Sequence, residues 1–302
     1  MNLLLTGAFN YSDEQKYALE ALGYKIKFLQ DERSNSSGWD FLQFQAVVCN
    51  GLFLYNDINR FKNLQFLQTT SAGLDRIPLD YIEQNGIKLC NARGVYSVPM
   101  AEWAVLKTLE LYKKSAAFYT SQKKHEWQKQ RDLEELCGKT VCIAGLGSVG
   151  TECAKRFKAF GCKIVGVDIS DFNAKAADSF FFVEDIAKAI DISDVVVLTL
   201  PLTDQTRGMI NADLLKNFGG KILINIARGA IINGEDLTKA LQKGILHGAA
   251  LDVFEDEPLP ADSPLWDMQN VLVTPHNSFV SGGNNARLFD LIYKNLKEFA
   301  NV

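Results

Sequence analysis

The sequence predicts an α/β protein built from two doubly wound parallel sheets, and three observations carry that prediction. Apolar runs of four to six residues alternate with amphipathic stretches along the chain, the pattern of strands buried on both faces and joined by helices. At 302 residues the chain can hold two cores of about 150 residues each. A glycine-rich turn, Gly145–Gly150, stands directly between one such run and the helical stretch after it. A composition of 47% apolar and 23% charged residues excludes a disordered or fibrous chain. The net charge of −4 lacks the footprint of a nucleic-acid binder, and no apolar run is long enough for a membrane span. The N-terminus has no signal-peptide pattern. Six cysteines without a C-x-x-C pair read as thiols of a reducing, cytoplasmic compartment. His125, His247 and His276 are the only histidines, too few for a histidine metal cluster, so no metal is expected.

Taken in order, the first strands are Asn2–Thr6, Ala46–Cys49, Leu64–Thr69 and Ile87–Cys90, each bounded by Gly, Asn or charge. Between the first two lies a helix over Ser12–Leu22, with Ser12 as N-cap and Gly23 just beyond its end. A longer helix is expected from Pro99 to Tyr119, followed by Ser121–Arg131, a Lys- and Gln-rich stretch around Trp127 that reads as a linker or an oligomer contact. A second series of strands follows: Lys139–Ala144, Cys162–Val167, Asp194–Leu200, Lys221–Ile226, Leu246–Asp252 and Asn270–Thr274. Helices fall between them, Gly234–Lys243 among them, and Ser281–Val302 forms a last amphipathic helix. His247 falls within a predicted strand and reads as a packed core residue; His125 lies among charges and reads as solvated.

The turn after Val141–Ala144 is Gly145-Leu146-Gly147-Ser148-Val149-Gly150, a G-x-G-x-x-G between strand and helix. The first Gly permits the tight turn, the second lets a pyrophosphate approach the backbone, and the third lets the helix pack on the strand. The helix after it presents Val149, Cys153, Phe157 and Phe160 on one face and stops at Gly161. The next strand ends in Asp168, about 20 residues beyond the loop, where a carboxylate accepts from both adenine-ribose hydroxyls and repels a 2′-phosphate. NAD is therefore expected rather than NADP. A methyltransferase also uses a Gly-rich loop and an acidic ribose ligand; Gly150 argues against that reading.

Three polar residues lie beyond the ends of later strands: Arg228, Glu257 and His276. Ligands of open parallel sheets bind at the carboxyl ends of strands, so the three are candidates to converge there. From the residues alone, Glu257 is not distinguishable from Glu255 in its acidic run, and His276 reads equally well as a loop histidine.

These stretches together resemble the D-isomer-specific 2-hydroxyacid dehydrogenase family. The resemblance is carried by Gly145–Gly150, Asp168, Leu198-Thr199-Leu200-Pro201-Leu202-Thr203, Asn225-Ile226-Ala227-Arg228-Gly229, Ala250–Pro258 and Thr274-Pro275-His276, with Thr70–Asp75 and Ala101-Glu102 earlier in the chain. It implies that NADH reduces a small 2-oxo acid at C2 to the D-2-hydroxy acid. His276 supplies the proton, Glu257 keeps that histidine protonated, and Arg228 grips the substrate carboxylate. Backbone amides of Ser71, Ala72 and Gly73 bind the same carboxylate. Gly145, Gly147, Ser148, Val149 and Gly150 meet the pyrophosphate. Leu200 and Pro201 flank the adenosine, while Ala227 and Asp252 lie near the nicotinamide. The family also implies a domain plan of a Rossmann NAD-binding domain, residues 98–276, inserted into a flavodoxin-like substrate domain, residues 1–97 and 277–302. The active site then lies in the cleft between them, and a homodimer forms through the NAD-binding domain.

Some features narrow the resemblance. The stretch after His276 is too short for the C-terminal regulatory domain of long phosphoglycerate dehydrogenases, so that type remains only without it. Glu257 stands where the formate dehydrogenase branch has an amide, which disfavours formate. Asn277-Ser278-Phe279 replaces the small-residue run common in the best-known branches. Thr69-Thr70 before Ser71 brings no basic residue for a phosphorylated substrate. The expected substrates are glyoxylate, hydroxypyruvate or pyruvate. The competing reading is an NADH-sensing corepressor module of the same fold. The absence of long flanks around the predicted elements favours the enzyme.

Overall fold

The computed structural model describes residues 1–301, which pack as two units: Met1–Tyr96 with the returning segment from Ser281, and Ser97–Val280. The sequence reading puts the divisions after residues 97 and 276; the packing puts them after 96 and 280.

The first unit is a five-stranded parallel sheet of β1 (Asn2–Thr6), β2 (Lys25–Leu29), β3 (Ala46–Cys49), β4 (Phe66–Thr69) and β5 (Lys88–Cys90), in the order β2-β1-β3-β4-β5. Strand alternation sorts its core. Leu4, Val47 and Leu67 face one side, against Phe41, Phe44, Phe61 and α2 (Leu52–Tyr55). Leu3, Leu5, Val48 and Phe66 face the other, against α1 (Asp13–Glu20). Ser12 caps α1 in a reciprocal capping box with Gln15, and Gly23 takes φ 91 beyond its end. α3 (Leu79–Gln84) precedes β5.

The second unit opens with α4 (Ser97–Tyr112) and α5 (Ser115–Lys123). Its seven strands are β6 (Thr140–Ala144), β7 (Lys163–Asp168), β8 (Ser179–Phe182), β9 (Val195–Leu198), β10 (Ile222–Asn225), β11 (Gly248–Leu251) and β12 (Val271–Val273). All pair in parallel, in the order β12-β11-β10-β9-β6-β7-β8. The strand order therefore reverses between β6 and β9, the switch point at which such sheets bind ligands. One face packs on α4 and α6 (Ser148–Ala159) through Val141, Ile143, Ile164, Cys153 and Phe157. The other packs on α7 (Ile186–Asp191) and α9 (Gly234–Gln242) through Val165, Val196, Leu223, Ile190 and Leu241, with the short α8 (Ala212–Leu215) beside them. Burial pushes the Cys142 and Cys153 thiols up to about 12, which makes them core residues rather than nucleophiles. The last helix, α10 (Asn284–Ala300), returns to the first unit, where Leu288, Ile292 and Leu296 complete the core beside Phe66.

The structure departs from the sequence reading in four places. Strands β2 and β8, both at sheet edges, were not anticipated: Lys25-Ile26-Lys27 alternates charge with apolar residues, and Ser179–Phe182 is half-exposed although Phe180-Phe181-Phe182 is apolar. The single helix expected over Pro99–Tyr119 is two, because Lys114 turns left-handed at φ 51 and the Tyr112 carbonyl accepts from the Glu134 amide. Phe160 is exposed at the end of α6 rather than on its packed face. His247 is exposed as well, since β11 begins only at Gly248.

Candidate active site

At the switch point the chain leaves β6 through Gly145, at φ +102, and turns into α6. A Cβ on Gly145 would lie 2.8 Å from the Leu200 amide nitrogen, and one on Gly150 would lie 1.8 Å from the Gly145 carbonyl oxygen. Neither position admits a side chain, so turn and helix close directly on the ends of β6 and β9. Thr199, beyond β9, locks the turn from the other side: its hydroxyl donates to the Gly145 carbonyl at 2.6 Å. Gly147 is the N-cap of α6 and brings no side chain to it, so the amides of Ser148, Val149 and Gly150 open the helix without a side-chain cap. Such a helix end attracts an anion.

Asp168 closes β7, and its Oδ2 accepts from the Leu146 amide at 2.6 Å while Oδ1 accepts from the Ile169 amide at 2.7 Å. The carboxylate is thus held at the rim of the glycine turn, with acceptor capacity remaining for a diol. Asn173, missed by the sequence reading, donates to the Leu146 carbonyl at 2.6 Å and secures the same residue from the opposite end. Glycines that exclude a Cβ, an uncapped helix end and a carboxylate at the neighbouring strand tip fit a dinucleotide. Of the residues expected to flank the adenosine, Leu200 is buried in the core while Pro201 is exposed.

Arg228, Glu257 and His276 come from the loops after β10, β11 and β12 of the same sheet. His276 Nδ1 and Glu257 Oε2 are 2.8 Å apart, with 41% and 37% of the two side chains exposed. An ionised carboxylate only accepts, so with Glu257 ionised this contact requires a proton on Nδ1 and leaves Nε2 outside it. The Glu257 Oε1 atom accepts from the Phe254 amide at 3.0 Å, fixing the carboxylate at both oxygens. This pairing distinguishes Glu257 from Glu255, a choice the acidic run alone left open. Phe279 meets the imidazole edge-to-face at 6.0 Å. Arg228 folds its guanidinium back so that Nη1 donates to the Ala227 carbonyl at 2.7 Å. Gly229 brings this loop against the chain ahead of Glu257: a Cβ there would lie 1.8 Å from the Phe254 carbonyl carbon.

Asp252, at the end of β11, is wholly buried (0% exposed). Its Oδ1 accepts from the Thr274 hydroxyl and, at 2.8 Å, the Asn277 amide; its Oδ2 accepts from the Ser278 amide at 2.9 Å. The His276 amide donates to the Asp252 carbonyl at 2.7 Å. This buried carboxylate folds the turn that holds His276 at φ 51, a conformation an L residue keeps only when its surroundings impose it. Ala227 is buried at the start of the Arg228 loop.

In the first unit, the loop after β4 has its carbonyls tied to protein donors. Ser71 O accepts from the Thr69 hydroxyl and the Ala92 amide, Ala72 O from Asn91 Nδ2, Gly73 O from the Ser71 hydroxyl, and Thr70 O from the Tyr96 hydroxyl. What those bonds leave of Ser71, Ala72 and Gly73 is the set of N–H groups, the donors an anion needs. Asn91 is a second residue the sequence reading did not single out.

Known proteins resemble this chain over most of its length. Residues 105–278 match the model of the NAD binding domain of the D-isomer specific 2-hydroxyacid dehydrogenases. The chain is 31% identical over 261 residues to the glyoxylate/hydroxypyruvate reductase HPR3 of Arabidopsis thaliana, covering 84% of this chain and 80% of that protein. It is 34% identical over 243 residues to a hydroxypyruvate reductase of Thermotoga maritima, covering 78% of each. A solved structure of a D-isomer specific 2-hydroxyacid dehydrogenase family protein from Aeromonas salmonicida superimposes with a TM-score of 0.84 at 30% identity, over 99% of this chain and 95% of that one. Among the described residues no helix is long and apolar enough to cross a membrane.

Proposed function

The chain belongs to the D-isomer-specific 2-hydroxyacid dehydrogenases, NAD-dependent oxidoreductases, and from that premise we propose that it reduces small 2-oxo acids of the glyoxylate, hydroxypyruvate and pyruvate type with Arg228, Glu257 and His276. The observation that carries this reading is the 2.8 Å contact between His276 Nδ1 and the carboxylate of Glu257, which presents Nε2 as the proton-exchanging atom. NADH, when bound, supplies the hydride that C2 of the oxo acid receives. His276 gives its Nε2 proton to the C2 oxygen as negative charge gathers there, and takes it back in the oxidative direction. Glu257 holds the ring in orientation and balances its positive charge. Arg228 grips the substrate carboxylate through paired guanidinium N–H groups, which match a carboxylate in a way a lysine does not. The amides of Ser71, Ala72 and Gly73 are assigned to the same carboxylate.

Asp168 supports NAD over NADP, since a carboxylate at the strand tip accepts from a ribose diol and repels a 2′-phosphate. Leu106, Phe118, Tyr119, Leu133 and Trp127, the last 95% exposed, support a homodimer through the second unit, where such side chains find cover. Six free cysteines support a reducing compartment, the cytoplasm. The test is NADH oxidation with a panel of 2-oxo acids, with and without a phosphate group, ranked by kcat/KM. Glyoxylate, hydroxypyruvate or pyruvate should lead, and the phosphorylated analogues should trail. A phosphorylated acid at the head of the ranking, or no turnover with any, overturns the reading.

A further inference from the structure

The guanidinium of Arg228 can grip a carboxylate only if its loop is held still, and the residue that holds it is Asn225. This asparagine is the last residue of β10 and is wholly buried, 0% exposed. Both ends of its amide are used. Oδ1 accepts from the Ala227 amide at 3.0 Å, and Nδ2 donates to the Arg228 carbonyl at 3.1 Å. The side chain thus spans the loop and holds peptide groups on both sides of the Ala227–Arg228 bond. The peptide between them carries the Ala227 carbonyl, to which the guanidinium itself donates at 2.7 Å. Three consecutive peptide groups around Arg228 are therefore set by one buried side chain or bonded to the guanidinium. The Asn225 backbone carbonyl accepts from the Asp252 amide at 3.0 Å, which ties the Arg228 loop to the strand whose end organises the His276 turn.

The chemistry of the side chain is specific. Holding this loop needs an acceptor and a donor on the same short stem. Aspartate accepts but does not donate, glutamine is one methylene longer, and leucine has the shape with neither group. Buried side-chain amides that satisfy a loop backbone in this way fix its geometry, and a displacement of about 1 Å at a substrate-gripping group costs on the order of a hundredfold in rate. We infer that Asn225 is a positioning residue for Arg228, setting the direction of the carboxylate clamp without touching substrate or cofactor. This inference rests on the reading of Arg228 as the carboxylate-binding residue.

The experiment compares Asn225→Ala, Asn225→Ser, Arg228→Lys and the double variants in the full-length protein. Steady-state kinetics use glyoxylate and NADH, and NADH binding is titrated by fluorescence. Both Asn225 variants should raise the KM for glyoxylate and lower kcat/KM by about tenfold to a hundredfold, with NADH affinity within about twofold of the parent. Serine, which restores a short donor and acceptor, should recover part of what alanine loses. Each double variant should be no worse than Arg228→Lys alone, since a clamp already lost has nothing left to be positioned. If Arg228→Lys leaves the glyoxylate KM unchanged, the carboxylate-clamp reading fails and this inference with it. If Arg228→Lys is impaired while both Asn225 variants match the parent, or if the losses multiply in the double variants, the clamp stands and the role of Asn225 falls. If Asn225→Ala does not fold, the Asn225→Ser pair decides by the same criteria.

Discussion

Two regions of the second sheet present polar groups beyond their strand ends by opposite means. The loop after β6 is built from what is missing: Gly145 and Gly150 have no side chains, and a Cβ on either would strike backbone. The loops after β10 and β12 carry their functional side chains on backbone that buried side chains hold, Asn225 in the Arg228 loop and Asp252 in the turn of His276. The first region presents backbone amides, whose direction follows from the helix itself. The second presents a guanidinium and an imidazole, which need their own scaffolding. The difference teaches that a helix end suited to an anion comes with the fold, whereas charged side chains beyond strand ends must be steadied on it by buried polar residues.

Substitutions can break this contrast. Gly150→Val should have the largest effect. The branched side chain meets the Gly145 carbonyl, so stability should fall by about 3 kcal/mol or more, together with NADH binding. A urea midpoint and an NADH titration both unchanged would show that the loop tolerates a side chain and that the contrast is wrong. His276→Ala should act on turnover alone, lowering kcat by about 10²–10⁴-fold while NADH affinity and thermal stability hold. A parallel loss of NADH affinity would place the histidine in the backbone-built region instead. Asp168→Ala sharpens the border between the two, since it is a side chain serving the glycine loop. Losing a charged hydrogen-bonding group should weaken NADH by about tenfold to a hundredfold, with little change for NADPH. Titration of both cofactors reads this directly, and an equal loss for the two would remove Asp168 from the ribose.

The same contrast explains how much was legible beforehand. The glycine loop and Asp168 stood out in the sequence because their spacing is local, set by one strand, one turn and one helix. The interior strands were equally plain: β1 and β3 fall on the residues their apolar runs define, since strands buried on both faces are nearly all apolar. Edge strands β2 and β8 were not plain, because half of each meets solvent. From the residues alone Arg228 and His276 were visible only as polar residues after strands, and their roles came with the family resemblance. Nor was Glu257 separable from Glu255 on the residues alone, since a 2.8 Å contact across 19 residues of chain leaves no periodic trace; the family resemblance singled it out. Asn225, Thr199 and Asn173 went unrecognised as supports for the same reason: a buried amide or hydroxyl looks like any loop-edge polar residue until its partners are in place.

The return of α10 to the first unit has a consequence for the order in which the molecule is made. Tyr24 donates to the Leu296 carbonyl, Asn295 donates to Gln68, and Phe299 stacks on Phe66, so the face of the first sheet that α1 covers in part is completed only when α10 is present. On the ribosome that helix emerges after the whole second unit. The early strands must wait with Leu3, Leu5 and Phe66 only partly shielded while the inserted unit is synthesised. Joining the two pieces of the first unit across roughly 180 intervening residues would cost about 5 kcal/mol in closure entropy if that stretch were unfolded. Prior folding of the inserted unit removes most of that loop, so the nascent chain is expected to mature from its middle outward. The hazard of aggregation during synthesis then falls on the N-terminal strands.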